Sequence, residues 1–127
     1  MEILEKLPHD FVTESDAVDL SLFDEMCALV GHKRIDELLG MLADELMQTL
    51  EPLPSAAREL ANRAHSMVST AGALGFIGFS DLCREVEHAC LSGQENPSLL
   101  ERLTSGRNMA LAQIEALRLM NGISAVP

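Results

Sequence analysis

The chain has no tryptophan and no tyrosine, and only four phenylalanines among its 127 residues. Aromatic packing therefore cannot supply its core, which must be filled by Leu, Met, Ala, Val and Ile. Basic residues are also scarce. Nine stand against 20 acidic ones, for a formal charge of −11. So acidic a surface is repelled by phosphate backbones and by anionic lipid, so neither nucleic acid nor a membrane is an expected partner. No apolar run approaches the roughly 20 residues needed to cross a bilayer. The opening segment, MEILEKLPHD, lacks the basic stretch followed by an apolar one that marks a secretory signal. Three cysteines, an odd number, suit reduced thiols better than a disulfide framework, and a cytoplasmic location is expected. Neither Cys-x-x-Cys nor His-x-x-x-His spacing occurs, so no metal site is expected.

What is present points to helices. Hydrophobic residues make up 47% of the chain, enough for one core, and Leu, Ala, Met and Glu outnumber β-branched and aromatic residues. Residues 1–19 include Pro8, lack periodicity and read as a tail or strap. A short helix is predicted over 20–30, with Leu22, Met26, Leu29 and Val30 on one side and Gly31 stopping it. From about Lys33 to Leu50, Ile35, Leu38, Leu39, Leu42, Leu46 and Leu50 recur at steps of three and four, the mark of an amphipathic helix. Pro52 and Pro54 end it. The next helix should begin near Pro54 or Ser55 and carry Leu60, Ala64, Met67, Ala71 and Leu74 inward. The sequence GFIGF, residues 75–79, reads as a turn. Ser80 is the expected N-cap of a helix with Leu82, Cys83, Val86, Ala89 and Cys90 inside, closed by Ser92-Gly93. Asn96-Pro97 opens the last helix, whose Leu100, Leu103, Ala110, Ile114 and Leu117 face inward until Asn121-Gly122.

Short links between long helices make consecutive helices antiparallel neighbours. The expected fold is all-α: an up-down-up-down four-helix bundle with an additional short N-terminal helix. The expected divisions are a tail at 1–19, a bundle at 20–120 and a C-terminal tail at 121–127. A monomer is expected.

Of the four histidines, His9 falls in the tail, His32 in a loop and His88 on an outward face, where solvated side chains are the default. His65 differs in its surroundings. The helix positions three, four and seven residues away hold Asn62, Ala61, Val68, Ser69 and Gly72. Ser69 and Gly72 are small, although an exposed glycine within a helix costs about 1 kcal/mol relative to alanine. They either lower the surface for an approaching partner or permit close packing against another helix, and spacing alone leaves both open. With the turn centred near Phe76, His65 and Glu87 each lie eleven residues from it and should stand level across the hairpin.

The segment ARELANRAHSMVSTAGALGFIGFSDLCREVEHA resembles the histidine phosphotransfer (HPt) family pattern Ala-His-x-Leu-Lys-Gly-(Ser/Ala)-x-x-x-Leu-Gly, followed by a helix with Leu-Cys-x-x-(Leu/Val)-Glu. Ala64 and His65 match its start, Met67 stands for its leucine, and Leu74 and Gly75 match its end. Leu82, Cys83, Val86 and Glu87 match the second helix. A looser similarity reaches back to Leu20. The resemblance implies that His65 is the phosphorylated nucleophile, that Glu87 orients the imidazole, and that Ala61, Asn62, Val68, Ser69 and Gly72 form the docking surface. It departs in two places: the family's lysine is Val68, and the glycine after it is Ser69. In the family that lysine sits beside the phosphoryl group, which leaves Arg58 and Arg84 as the candidates for charge compensation.

The implied partners are response-regulator receiver domains and a hybrid histidine kinase. No cofactor is expected on this chain, and Mg²⁺ is expected on the response regulator. There is no Walker motif and no kinase glycine loop, so a phosphocarrier without kinase or phosphatase activity of its own is expected. The rival expectation is a docking module that binds regulators without carrying phosphate. A purely structural bundle is a third, with Phe76, Ile77 and Phe79 either packed inside or forming a docking patch.

Overall fold

The computed structural model describes residues 18–50 and 52–125, with side chains described as far as residue 122. Four helices account for nearly all of them: α1, Leu20–Leu50; α2, Ala57–Ala73; α3, Ile77–Leu91; and α4, Pro97–Ala125. No strand occurs among the described residues.

Side-chain pairs fix the direction of each neighbour. Between α1 and α2, Arg63 Nη1 donates to the Thr49 carbonyl (2.7 Å) and Ser66 Oγ to Glu45 Oε1 (3.1 Å). Between α2 and α3, Ser80 reaches Val68 while Glu87, further along, reaches His65. Arg102 of α4 grips Glu85 of α3 through two bonds of 3.0 Å. Arg118 grips Asp36 of α1 in the same way, at 3.0 Å twice. Gly106 lies against Leu82 of α3, and Arg107 Nη1 bonds the Leu50 carbonyl of α1, which gives a second pair at each of the last two contacts. At each contact one residue number rises as the other falls, so all four are antiparallel and α4 closes the ring against α1. The topology is up-down-up-down.

The core is the aliphatic one that the composition demands. Ile35, Leu39, Leu42, Leu46 and Leu50 of α1 meet Leu60, Ala64, Met67 and Ala71 of α2. They also meet Leu82, Cys83 and Val86 of α3, and Leu103, Ala110, Ile114 and Leu117 of α4. Each fully buried Leu or Ile contributes about 1.5–3 kcal/mol of transfer free energy. A buried polar group completes the core: Arg107 donates Nη1 to the Leu50 carbonyl at 2.9 Å, satisfying an acceptor that the end of α1 would otherwise leave without a partner.

The front of the molecule follows expectation in part. Residues 20–30 are helical and are interrupted, as expected, at Gly31 (φ 85°, ψ 162°), beyond which α1 resumes as its long segment. The expected inward face of this first stretch is rotated. Leu20 and Phe23 are buried, Met26 and Cys27 are half-buried, and Leu29 is 79% exposed. The segment runs across one end of the bundle, from the α2–α3 turn, where Asp19 N bonds Gly75 O (2.6 Å), to His32 beside Asn121 of α4. Its first turn reaches the core, and its end does not. Residues 1–17, and with them His9 and most of the expected tail, lie outside the described residues. Val18 is buried, and Asp19 Oδ1 caps α1 by accepting from Leu22 N (3.0 Å).

Two boundaries move, the start of α3 and the end of α4, while the start of α4 holds. The α2–α3 turn is shorter than GFIGF, because α3 begins at Ile77 and its first turn places Phe79 in the core beside Phe76. Ser80 is therefore inside the helix and is not its cap. At the start of α4, Asn96 Oδ1 does accept from Leu99 N (3.0 Å), but Leu99 is the buried residue and Leu100 is half-buried. Helix α4 also continues through Asn121-Gly122 to Ala125, so the expected tail at 121–127 is helical over its described part. The Asn121 side chain does not compete with its own helix. It is buried and bonds across to His32, donating Nδ2 to that residue's carbonyl (2.9 Å).

Candidate functional site

The α2–α3 hairpin presents His65. Its predecessor Ala64 is fully buried, and one further step around the helix turns the imidazole outward, 73% exposed. From the next helix the Glu87 carboxylate, 24% exposed, lies 2.8 Å from His65 Nδ1. A carboxylate oxygen accepts, so the proton of this bond sits on Nδ1 and the lone pair of the neutral ring sits on Nε2.

The surrounding positions divide. Asn62 and Ser69 are exposed on the His65 face. Val68 is half-buried and packs against the core. Ala61 is only 1% exposed, so its expected place on a docking surface is incorrect: four residues before His65, it falls on the core side with Leu60 and Ala64. Gly72 is half-buried and faces α3, where a Cβ would stand 3.2 Å from Ser80 Oγ. The close-packing reading therefore holds for Gly72, and Ser69 is exposed.

The two arginines are not at the pair. Arg84 is one turn before Glu87 on α3 and bonds Asp81 Oδ1 at 3.0 Å. Arg58 is exposed at the start of α2, two turns before His65. Among the described residues, neither hydrogen-bonds His65 or Glu87. The α2 cation that does engage its surroundings, Arg63, is held by Thr49 O and by Glu59 Oε1 at 2.7 Å each.

His65 stands on open surface. A groove of about 460 Å³ lies between α3 and α4 around Leu82 and Gly106, and a second of about 440 Å³ lies around Leu53 and Leu100; His65 lines neither. Among the described residues no group of three or more His, Cys, Asp or Glu is placed to hold a metal ion. Burial pushes the Cys83 thiol up to about 12, and the Cys27 and Cys90 thiols are raised by burial and then by Asp24 and Glu95 respectively. Such thiols are poor nucleophiles and poor metal ligands.

His32 does not lie in a loop. It belongs to α1, and its Nδ1 is 2.6 Å from Asn121 Oδ1, a partner that spacing could not reveal because the two are 89 residues apart. His88 is exposed in the last turn of α3, and Ile77 is exposed while Phe76 and Phe79 are buried. No described helix is long and apolar enough to cross a membrane. Sequence reasoning did not find the roles of Ser80 and Arg107, since a serine after a glycine-rich turn reads as a cap and an arginine reads as surface.

A protein-family model described as Hpt domain matches residues 34–120, from the middle of α1 almost to the end of α4. No curated protein and no solved structure matches the chain.

Proposed function

The chain belongs to the Hpt domain family, and from that premise we propose that it relays a phosphoryl group between response-regulator aspartates through Nε2 of His65. Domains of this family are phosphocarriers of two-component signalling. The observation that carries the residue assignment is the exposed imidazole whose Nδ1 is held by Glu87 at 2.8 Å.

The Nε2 lone pair attacks the phosphorus of a regulator's aspartyl phosphate. The N–P bond forms as the P–O bond to the aspartate breaks, and the carboxylate leaves with the electron pair. Nδ1 keeps its proton, so the phosphorylated ring is cationic, and the Glu87 carboxylate offsets that charge where it arises. Transfer to a second regulator is the same step reversed. Positioning and charge neutralisation dominate such transfers. The acidic pocket and Mg²⁺ would come from the regulator, and its surface would close over the open imidazole. A hybrid histidine kinase would supply the phosphoryl group through its own receiver aspartate. The protein would act as a monomer in the cytoplasm.

Phosphorylated regulator should label the protein with an acid-labile, alkali-stable phosphate, and His65→Gln should abolish the label. Labelling that survives in that variant sinks the assignment. One observation favours a second reading, a docking module that binds regulators without taking phosphate: Val68 replaces the family's lysine, and Arg84 is engaged by Asp81. Regulator binding without any label would establish it.

A further inference from the structure

The seam between α2 and α3 holds a polar contact that the proposed chemistry does not use. Ser80, 5% exposed and inside α3, donates its hydroxyl to the Val68 carbonyl at 2.6 Å. That carbonyl belongs to the middle of α2, where the helix's own ladder already occupies one lone pair, so the bond is an added tie between helices. Gly72 leaves it room. A side chain at that position would put its Cβ 3.2 Å from Ser80 Oγ, tighter than most packed neighbours, so the hydroxyl would have to shift by a few tenths of an ångström; the 3.7 Å to Ser80 Cβ is ordinary contact. A glycine in the last turns of a helix weakens it, and here the weakness is offset by the close approach it permits.

The tie lies on the same stripe as the reactive pair. Glu87 follows Ser80 by seven residues, two turns along one face of α3, and His65 precedes Val68 by three on α2. Two antiparallel helices sliding past one another would change both contacts together. The α2–α3 turn, short as it is, fixes only one end of the hairpin. The His65–Glu87 bond spans two partly exposed side chains and cannot hold the register by itself.

We propose that Ser80 is a positioning residue for His65: its bond to the Val68 carbonyl, in the slot left by Gly72, sets the register of α3 on α2 and thereby holds Glu87 on Nδ1. The proposal rests on the phosphotransfer reading only for its effect on transfer rate. Its effect on the imidazole can be read in the unphosphorylated protein.

The test is ¹⁵N NMR of the His65 ring in the full chain, with Ser80→Ala compared with wild type, with Glu87→Ala as the mark of a ring without its acceptor, and with Ile114→Val as a core variant away from the seam. In wild type the Nδ1–H form should dominate. Ser80→Ala should move the ring signals toward those of Glu87→Ala and lower the rate of phosphoryl uptake from phosphorylated regulator roughly three- to tenfold, the scale of one hydrogen bond's loss. Ile114→Val should lower stability and leave the ring signals in place. Gly72→Ala, read by the ring signals alone, is the second variant: its Cβ displaces Ser80 while favouring the helix, so it should shift the tautomer even where Ser80→Ala fails to fold. Wild-type ring signals in both seam variants overturn the proposal. So does a shift in Ile114→Val as large as that in Ser80→Ala. Absence of uptake by wild type would instead overturn the phosphotransfer reading, and the ring signals would still decide the role of Ser80.

Discussion

At the scale of single residues, the site pairs an imidazole supplied by α2 with a carboxylate supplied by α3, and in the proposed relay neither Arg58 nor Arg84 is placed to offset the phosphoryl charge. Val68 stands where the family has lysine, half-buried at its base, and a lysine there could lay its methylenes along the same apolar contact and carry its ammonium outward. Val68→Lys should therefore raise the initial rate of phosphoryl uptake several-fold with little change in stability. An unchanged rate would show that compensation is not what this position lacks. The pairing of His65 with Glu87 was legible in the sequence because the hairpin turn places them equidistant from its centre. The burial of Ala61 was not, since a residue four positions back lies near the edge of a helical face and only the neighbouring helices decide which side of the edge is covered.

At the scale of elements, the α2–α3 turn does more than reverse the chain. Gly75 adopts φ 93°, and a Cβ there would lie 2.7 Å from the Asp19 carbonyl, so one residue serves both the turn and the anchorage of α1's start. Gly75→Ala should cost about 2 kcal/mol or more in a urea titration, because the left-handed backbone and a backbone clash add. Gly93→Ala, with φ 69° and open space around its Cβ, should cost about 1 kcal/mol from backbone strain alone. Equal losses would remove the anchorage from the account. Periodicity located every long helix, since Leu and Ala at steps of three and four are hard to mistake. It placed their ends less well. Phe79 and Asn121 are the reason: a phenylalanine claimed by the core and an asparagine claimed by His32 carry helix into segments whose local composition reads as turn or tail.

At the scale of the whole molecule, closure of the ring depends on α4 meeting α1, and Arg118 with Asp36 marks that contact. Hydrogen bonding to Arg118 holds the Asp36 carboxyl below the usual carboxylate range. A folded-state value lower than the unfolded one means stability that is present above the ordinary aspartate range and is lost as pH falls through the folded value. Both partners are nearly half exposed, so the contribution is small and weakened by salt. The stability difference between wild type and Asp36→Asn should thus be measurable at neutral pH and low salt and should close as the solution is acidified. A difference that stays constant down to strongly acid pH would assign the effect to packing over Gly40, where the Arg118 guanidinium lies. The open placement of His65 carries a consequence for traffic. In the proposed relay, one imidazole standing outside either groove admits one visitor at a time, so donor and acceptor would alternate. Steady-state flux should then follow a double-displacement pattern, with each regulator inhibiting competitively against the other, and lingering attachment of either would throttle the circuit.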